Sequence, residues 1–161
     1  MTDTATADHL AIAQVVQRYF DALDEKDYAR LDQVFTADAV LRYSLDESTG
    51  PAVSPAAMAA RMRSFNAAFR FTQHLSGPPS IEIRGDEALA RTNLRALHVQ
   101  QRRDGGVSTW TVRGVYWDRL ARTAAGWRII ERVFRVLHRE GELLGGDEVE
   151  RYEKPPWGKQ S

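Results

Sequence analysis

The stretch EALARTNLRALHVQQRRDGGVSTWTVRGVYWDRLARTAAGWRIIERVFRVLH, residues 87–138, decides the fold. Apolar and polar side chains alternate along it with a period of two in three runs, at about 87–102, 107–120 and 126–138, the spacing of strands with one buried face. Asp104-Gly105-Gly106 and the segment from Thr123 to Gly126 separate the runs, and both are short, turn-forming and suited to antiparallel neighbours. Three long hairpin-linked strands form a meander. Upstream, 71–75 and 79–84 read as two shorter strands bounded by Gly77-Pro78-Pro79 and Gly85-Asp86.

Before residue 70 the period is helical. After the small, polar residues 2–8, Leu10, Ala13, Val16, Phe20 and Leu23 fall on one side of a helix, with Ile12, Val15 and Tyr19 beside them. Asp27 reads as the N-cap of a second, short helix carrying Tyr28, Leu31 and Val34. Ala39–Leu45 reads as a strand. Ser54 before Pro55 marks a third helix, continued by Met58, Met62, Phe65 and Phe69. Helices first and a long antiparallel sheet afterwards imply an α+β domain with the helices covering one face of a curved sheet. Regular structure is expected to end near His138, giving one domain over 1–138 and a tail over 139–161. That tail reads as disorder or as a drape in which Trp157 docks over a pocket or a neighbouring subunit.

At 161 residues the chain suits one domain with a sizeable core. The 22 basic and 22 acidic residues cancel, so no global field draws it to nucleic acid or anionic lipid. The absence of Cys excludes thiol nucleophiles, disulfides and thiolate metal sites. No signal-peptide pattern opens the sequence and no apolar run is long enough for a membrane span, so a cytoplasmic protein is expected. Nucleotide-binding glycine loops and the G-x-S-x-G elbow are absent, and no H-x-H or H-x-x-x-H spacing favours a metal; no cofactor and no metal are expected.

The residues able to do chemistry are few. Continuing the first helix places Asp24 at the edge of its apolar arc, able to face inward, although Asp24-Glu25-Lys26-Asp27 reads equally as a solvated turn. His74 sits in a strand-like run before the Gly-Pro-Pro turn. Alternation puts His98 on the face of Leu94 and Ala96, which is small, apolar and expected to point inward. His9, in the fraying start of the first helix, and His138 read as surface residues. Tyr43 alternates with Leu41 and Leu45 and is placed to offer a phenol to a cavity. Phe65, Phe69, Phe71, Trp110, Tyr116 and Trp127 read as core or pocket wall.

The run Val15-Val16-Gln17-Arg18-Tyr19-Phe20-Asp21-Ala22-Leu23-Asp24-Glu25-Lys26-Asp27-Tyr28, followed by Val34-Phe35-Thr36-Ala37-Asp38-Ala39, resembles the opening of the NTF2-like superfamily and its SnoaL-like branch. So do His74-Leu75-Ser76-Gly77-Pro78, Gly85-Asp86-Glu87-Ala88 and Gly126-Trp127-Arg128-Ile129. The resemblance, over roughly 8–138, implies a cone of three helices packed on a strongly curved, mostly antiparallel sheet enclosing a pocket. Among polar positions it is nearest to the scytalone dehydratases. Asp24, Tyr43, His74 and His98 fall on that family's cavity residues, whereas Leu23 stands where the family has a tyrosine. No counterpart of its substrate-binding asparagine is found near Arg113 or Gly114. Tyr19 resembles instead the tyrosine of the superfamily's bile-acid dehydratases and ketosteroid isomerases. The isomerase's catalytic aspartate aligns with Tyr43, which disfavours that base.

The function implied is a cofactor-independent lyase removing water or a similar group from a cyclic or polyketide-like carbonyl compound. An imidazole moves the proton α to the carbonyl, Asp24 fixes its tautomer, and Tyr43 with Tyr19 meets the developing enolate. His74 is assigned as the acid/base and His98 as its partner; which of them Asp24 contacts is left open by the sequence. An isomerase or polyketide cyclase in the same pocket, and a non-catalytic ligand-binding or subunit module, are the alternatives. A small hydrophobic cyclic substrate and a homodimer paired through the sheet are the expected partners.

Overall fold

The computed structural model describes residues 3–44 and 50–157. Its elements are α1 (Asp3–Asp24), a 3-10 turn η1 (Tyr28–Gln33), β1 (Phe35–Tyr43), β2 (Ala52–Val53), α2 (Pro55–Asn66), β3 (Phe71–Ser76), β4 (Ser80–Arg84), β5 (Glu87–Gln101), β6 (Val107–Thr123) and β7 (Gly126–Gly141). The expected α+β architecture is present: three helical segments lie on a curved, mixed but mostly antiparallel sheet. The strands run β2-β1-β7-β6-β5-β3, β4 also pairs with β5, and β1 beside β7 is the parallel pair.

Two register shifts bend the long hairpin. Between Arg119 and Leu120, and again between Arg113 and Gly114, β7 carries one residue more than β6, and each bulge adds curvature. Gly114 has a steric reason at the second. A Cβ there would lie 2.5 Å from Phe134 Cε2 and 2.7 Å from the Arg135 carbonyl oxygen. The inward face of β5 follows strict alternation, with Ala88, Ala90, Thr92, Leu94, Ala96 and His98 all buried. Against it α1 lays Ile12, Val15, Val16, Tyr19, Phe20 and Leu23, each almost fully buried. Asp8 bolts this helix to the far end of the hairpin: it accepts two 2.7 Å bonds from the Arg122 guanidinium and a 3.0 Å bond from Trp127 Nε1.

Several local expectations change. The second helix is a 3-10 segment, and Asp27 does not cap it with its side chain; the carboxylate pairs with Arg30 at 3.1 Å. The first strand starts at Phe35, four residues before Ala39, because Phe35 pairs with Ile129; Leu45 lies outside the described residues. Helix α1 already runs from Asp3, so His9 is not at a fraying end, and its Nδ1 lies 2.8 Å from the Ala5 carbonyl oxygen. Strand β7 continues past His138 to Gly141.

Beyond β7 the chain packs back on the sheet. Val149 and Leu144 are buried, Gln100 exchanges two hydrogen bonds with the Leu144 backbone, and Tyr152 N–H donates to the Ala67 carbonyl. Lys26, in the left-handed region at φ 55, sits just after α1 and donates from Nζ to the carbonyls of Phe69 and Tyr152 at 2.7 and 2.6 Å. Burial pulls its ammonium pKa down to about 8. One side chain thus ties the end of α1, the start of β3 and the C-terminal segment together. Trp157 lies against Phe71, ring centroids 5.7 Å apart. No helix among the described residues is long and apolar enough to cross a membrane.

Candidate active site

Between α1, α2 and the concave side of the sheet lies a cavity of about 710 Å³. Tyr19, Tyr43, His74 and His98 all line it; Asp24 stands behind His74. Of the five residues singled out in the sequence, four therefore face one space and the fifth is hydrogen-bonded to one of them.

Asp24 ends α1, where the helix dipole gives a carboxylate no support. Its stabilisation comes instead from β3. Oδ1 accepts from Thr72 Oγ1 at 2.7 Å and lies 2.6 Å from His74 Nδ1, while Oδ2 accepts from the His74 backbone N–H at 2.8 Å. The reading of Asp24 as a solvated turn residue is thereby excluded. A carboxylate at Nδ1 fixes the neutral imidazole as the Nδ1–H tautomer, which leaves the Nε2 lone pair for the cavity. Phe20 stacks on the other side of the ring at 5.6 Å and 14°, holding it in plane. The pair is Asp24 with His74, not His98.

His98 has a different environment. Its ring sits 5.9 Å from that of His74 and is packed by Phe69 and Trp110, both at 4.8 Å. Nδ1 donates to the Trp110 carbonyl at 3.2 Å. Burial, followed by the neighbouring His74, pulls its pKa down to about 3. Burial thus holds His98 in its neutral form at physiological pH, and the Nδ1 bond to Trp110 leaves Nε2 as a hydrogen-bond acceptor.

The phenols form the second polar feature. Tyr43 Oη donates to Tyr19 Oη at 3.0 Å, Tyr116 packs edge-on to Tyr19 at 5.6 Å, and burial raises the pKa of all three hydroxyls well above its ordinary value. Beneath them Arg132, fully buried, donates to both oxygens of Asp118 at 2.6 and 2.7 Å and to Tyr43 Oη at 3.4 Å. Its guanidinium also lies over the Tyr116 and Tyr19 rings at 4.1 and 4.3 Å. Burial opposes that charge, but Asp118 and the electron-rich phenols more than offset it and the pKa is raised.

The SnoaL-like domain model matches residues 4–133. The chain belongs to the SnoaL-like domain family. A solved NTF2-like superfamily protein of Salmonella enterica has the same fold at TM-score 0.63, 20% identical and covering 87% of this chain and 94% of its own. A Kribbella flavida protein, Kfla4162, is 26% identical with a TM-score of 0.76, covering 84% of this chain and 95% of its own. A Novosphingobium aromaticivorans protein, provisionally called a scytalone dehydratase, is 20% identical at TM-score 0.74, covering 93% and 96%. The hexachlorocyclohexane dehydrochlorinase LinA-type3 of Novosphingobium barchaimii is 14% identical at TM-score 0.69, covering 86% and 92%. No curated protein matches the sequence.

In this SnoaL-like chain, sequence reasoning missed the Arg132–Asp118 pair and read Tyr116 as core or pocket wall with no chemical role. Trp127 and Ile129 set an inward phase of odd numbers, and the extra residue at the β7 bulge switches it, so Arg132, Phe134 and Val136 point in. Asp118 was readable: it shares the even-numbered phase of Trp110, Val112 and Tyr116, and an acid on an apolar face calls for a buried cation. Asn66 and Arg61, at the end and middle of α2, also line the cavity.

Proposed function

We propose that this chain is a cofactor-independent dehydratase-type lyase acting on a cyclic or polyketide-like carbonyl compound. The observation that supports it is the Asp24–His74 dyad, whose imidazole borders an aromatic cavity that also holds paired phenols. His74 Nε2 takes the proton α to the substrate carbonyl. The electron pair of that C–H bond becomes the new C=C bond, and the oxygen on the neighbouring carbon leaves with its bonding pair. The proton on Nε2 then joins that oxygen, completing a water molecule. Asp24 stabilises the imidazolium formed between the two transfers. One hydroxyl of the Tyr43–Tyr19 pair donates to the carbonyl oxygen as enolate charge develops while the other donates to that phenol in turn, with Arg132 beneath them adding positive potential. His98 Nε2 accepts a hydrogen bond from a substrate hydroxyl.

Relatives of the same fold include a protein named as a scytalone dehydratase and a dehydrochlorinase, and both names describe loss of a leaving group. The reading includes a homodimer paired through the outer sheet face, where Trp117 and Leu89 are exposed. The test is a screen of cyclic β-hydroxyketones read by mass spectrometry. Loss of one water supports a dehydratase, and a product of unchanged mass an isomerase or cyclase. On an authentic substrate Asp24→Asn and His74→Ala lower turnover by about 10²–10⁴; full turnover in both variants overturns the mechanism.

A further inference from the structure

We propose that the substrate is an organic acid, its ring held between His74 and the phenols and its carboxylate received at Arg61. The inference rests on the cavity being the substrate site. Among the described residues no aspartate or glutamate lines that cavity; Asp24 is screened from it by His74. Helix α2, which walls one side, reads PAAMAARMRSFN and has two arginines and no acid. These arginines differ. Arg63 stacks over the Tyr28 ring at 5.7 Å, away from the cavity. Arg61 lines the cavity, is exposed at its open side, and has no ion-pair or hydrogen-bond partner among the described residues.

A second, independent feature lies on the same helix. Asn66 is 2% exposed and lines the cavity; its amide faces the Tyr28 hydroxyl, and neither group makes a well-formed hydrogen bond. A buried donor without a partner is destabilising until an acceptor arrives, and a ligand oxygen in the cavity supplies one. An exposed guanidinium on a helix that also turns an amide donor to the cavity, with no acid among the described lining residues, matches an anionic, oxygen-rich group. Arg61 is the one charged side chain other than histidine among the described lining residues, so its single positive charge balances one carboxylate and leaves a phosphate dianion half-compensated.

The probes are 2-naphthoate and its neutral isostere 2-naphthamide, titrated against the full chain by quenching of tryptophan fluorescence, since Trp110 lines the cavity. The naphthoate is expected to bind about fivefold more tightly than the amide at low salt, the size of an exposed ion pair, and the preference to disappear in Arg61→Gln. Arg61 is exposed, so that variant folds. Equal binding of the two probes to the wild type, or a preference that survives in Arg61→Gln, overturns the proposal. If probe binding is equal while His74-dependent chemistry on a ketone persists, the carboxylate inference alone falls. If neither probe binds, the reading of the cavity as a substrate site falls with it.

Discussion

Acidification should cost this protein stability through His98 in particular. The folded-state pKa is about 3 against 6.5 for a free imidazole, so between those values the unfolded chain binds more protons at this site than the native one. Stability from this site is therefore complete above pH 6.5 and is lost progressively as pH falls toward 3. Integrating the linkage relation from pH 7 to pH 4 gives a loss of roughly 3 kcal/mol from this one imidazole. Urea unfolding at both pH values, in the wild type and in His98→Phe, isolates it. Phe suits a site walled by Phe65, Phe69 and Trp110, and contributions from other groups such as Asp8 cancel in the comparison. The wild type should lose about 3 kcal/mol more than the variant. Equal losses, or a His98 ring signal that titrates between pH 7 and pH 5, refute the argument.

Breaking the buried pair by Asp118→Asn leaves Arg132 charged without its partner and should cost about 3–5 kcal/mol in urea denaturation. Gly114→Ala drives a methyl into Phe134 and the Arg135 carbonyl, and is expected to lower stability by about 1–3 kcal/mol in the same assay. Ending the chain after Gly141 uncovers the surface packed by Leu144 and Val149 and frees Lys26 of its Tyr152 contact; a loss of roughly 2–4 kcal/mol is expected. Light scattering should report twice the 18.2 kDa chain mass, reduced to one chain mass when Trp117→Glu charges the outer sheet face.

The strands of the meander were legible because period-two burial runs along β5 from Glu87 to His98, and four glycine turns mark the hairpin ends. The start of β1 was not, since Phe35 joins the sheet through a parallel pairing with Ile129, ninety-odd residues away, which no local pattern encodes. His98 and Tyr43 were found because each sits in phase with apolar neighbours, and His74 because it lies in a strand-like run ahead of the Gly-Pro-Pro turn. Asp24 looked ambiguous because its partners, Thr72 and His74, lie on a strand 48 and 50 residues further along the chain. Arg132 was hidden by the bulge that reverses the phase of β7. The C-terminal segment lacks any period, and its order depends on side-chain bonds to Gln100 and Lys26 that only the folded sheet creates.

The central claim is that His74, held by Asp24, removes a proton α to a carbonyl inside this cavity. It is tested most directly without the natural substrate, by following hydrogen–deuterium exchange at the α-carbons of 2-tetralone in D2O by NMR. The account predicts exchange faster than in buffer alone, slowed by on the order of 10² or more in both His74→Ala and Asp24→Asn. Exchange no faster than in buffer, or as fast in His74→Ala as in the wild type, would contradict it.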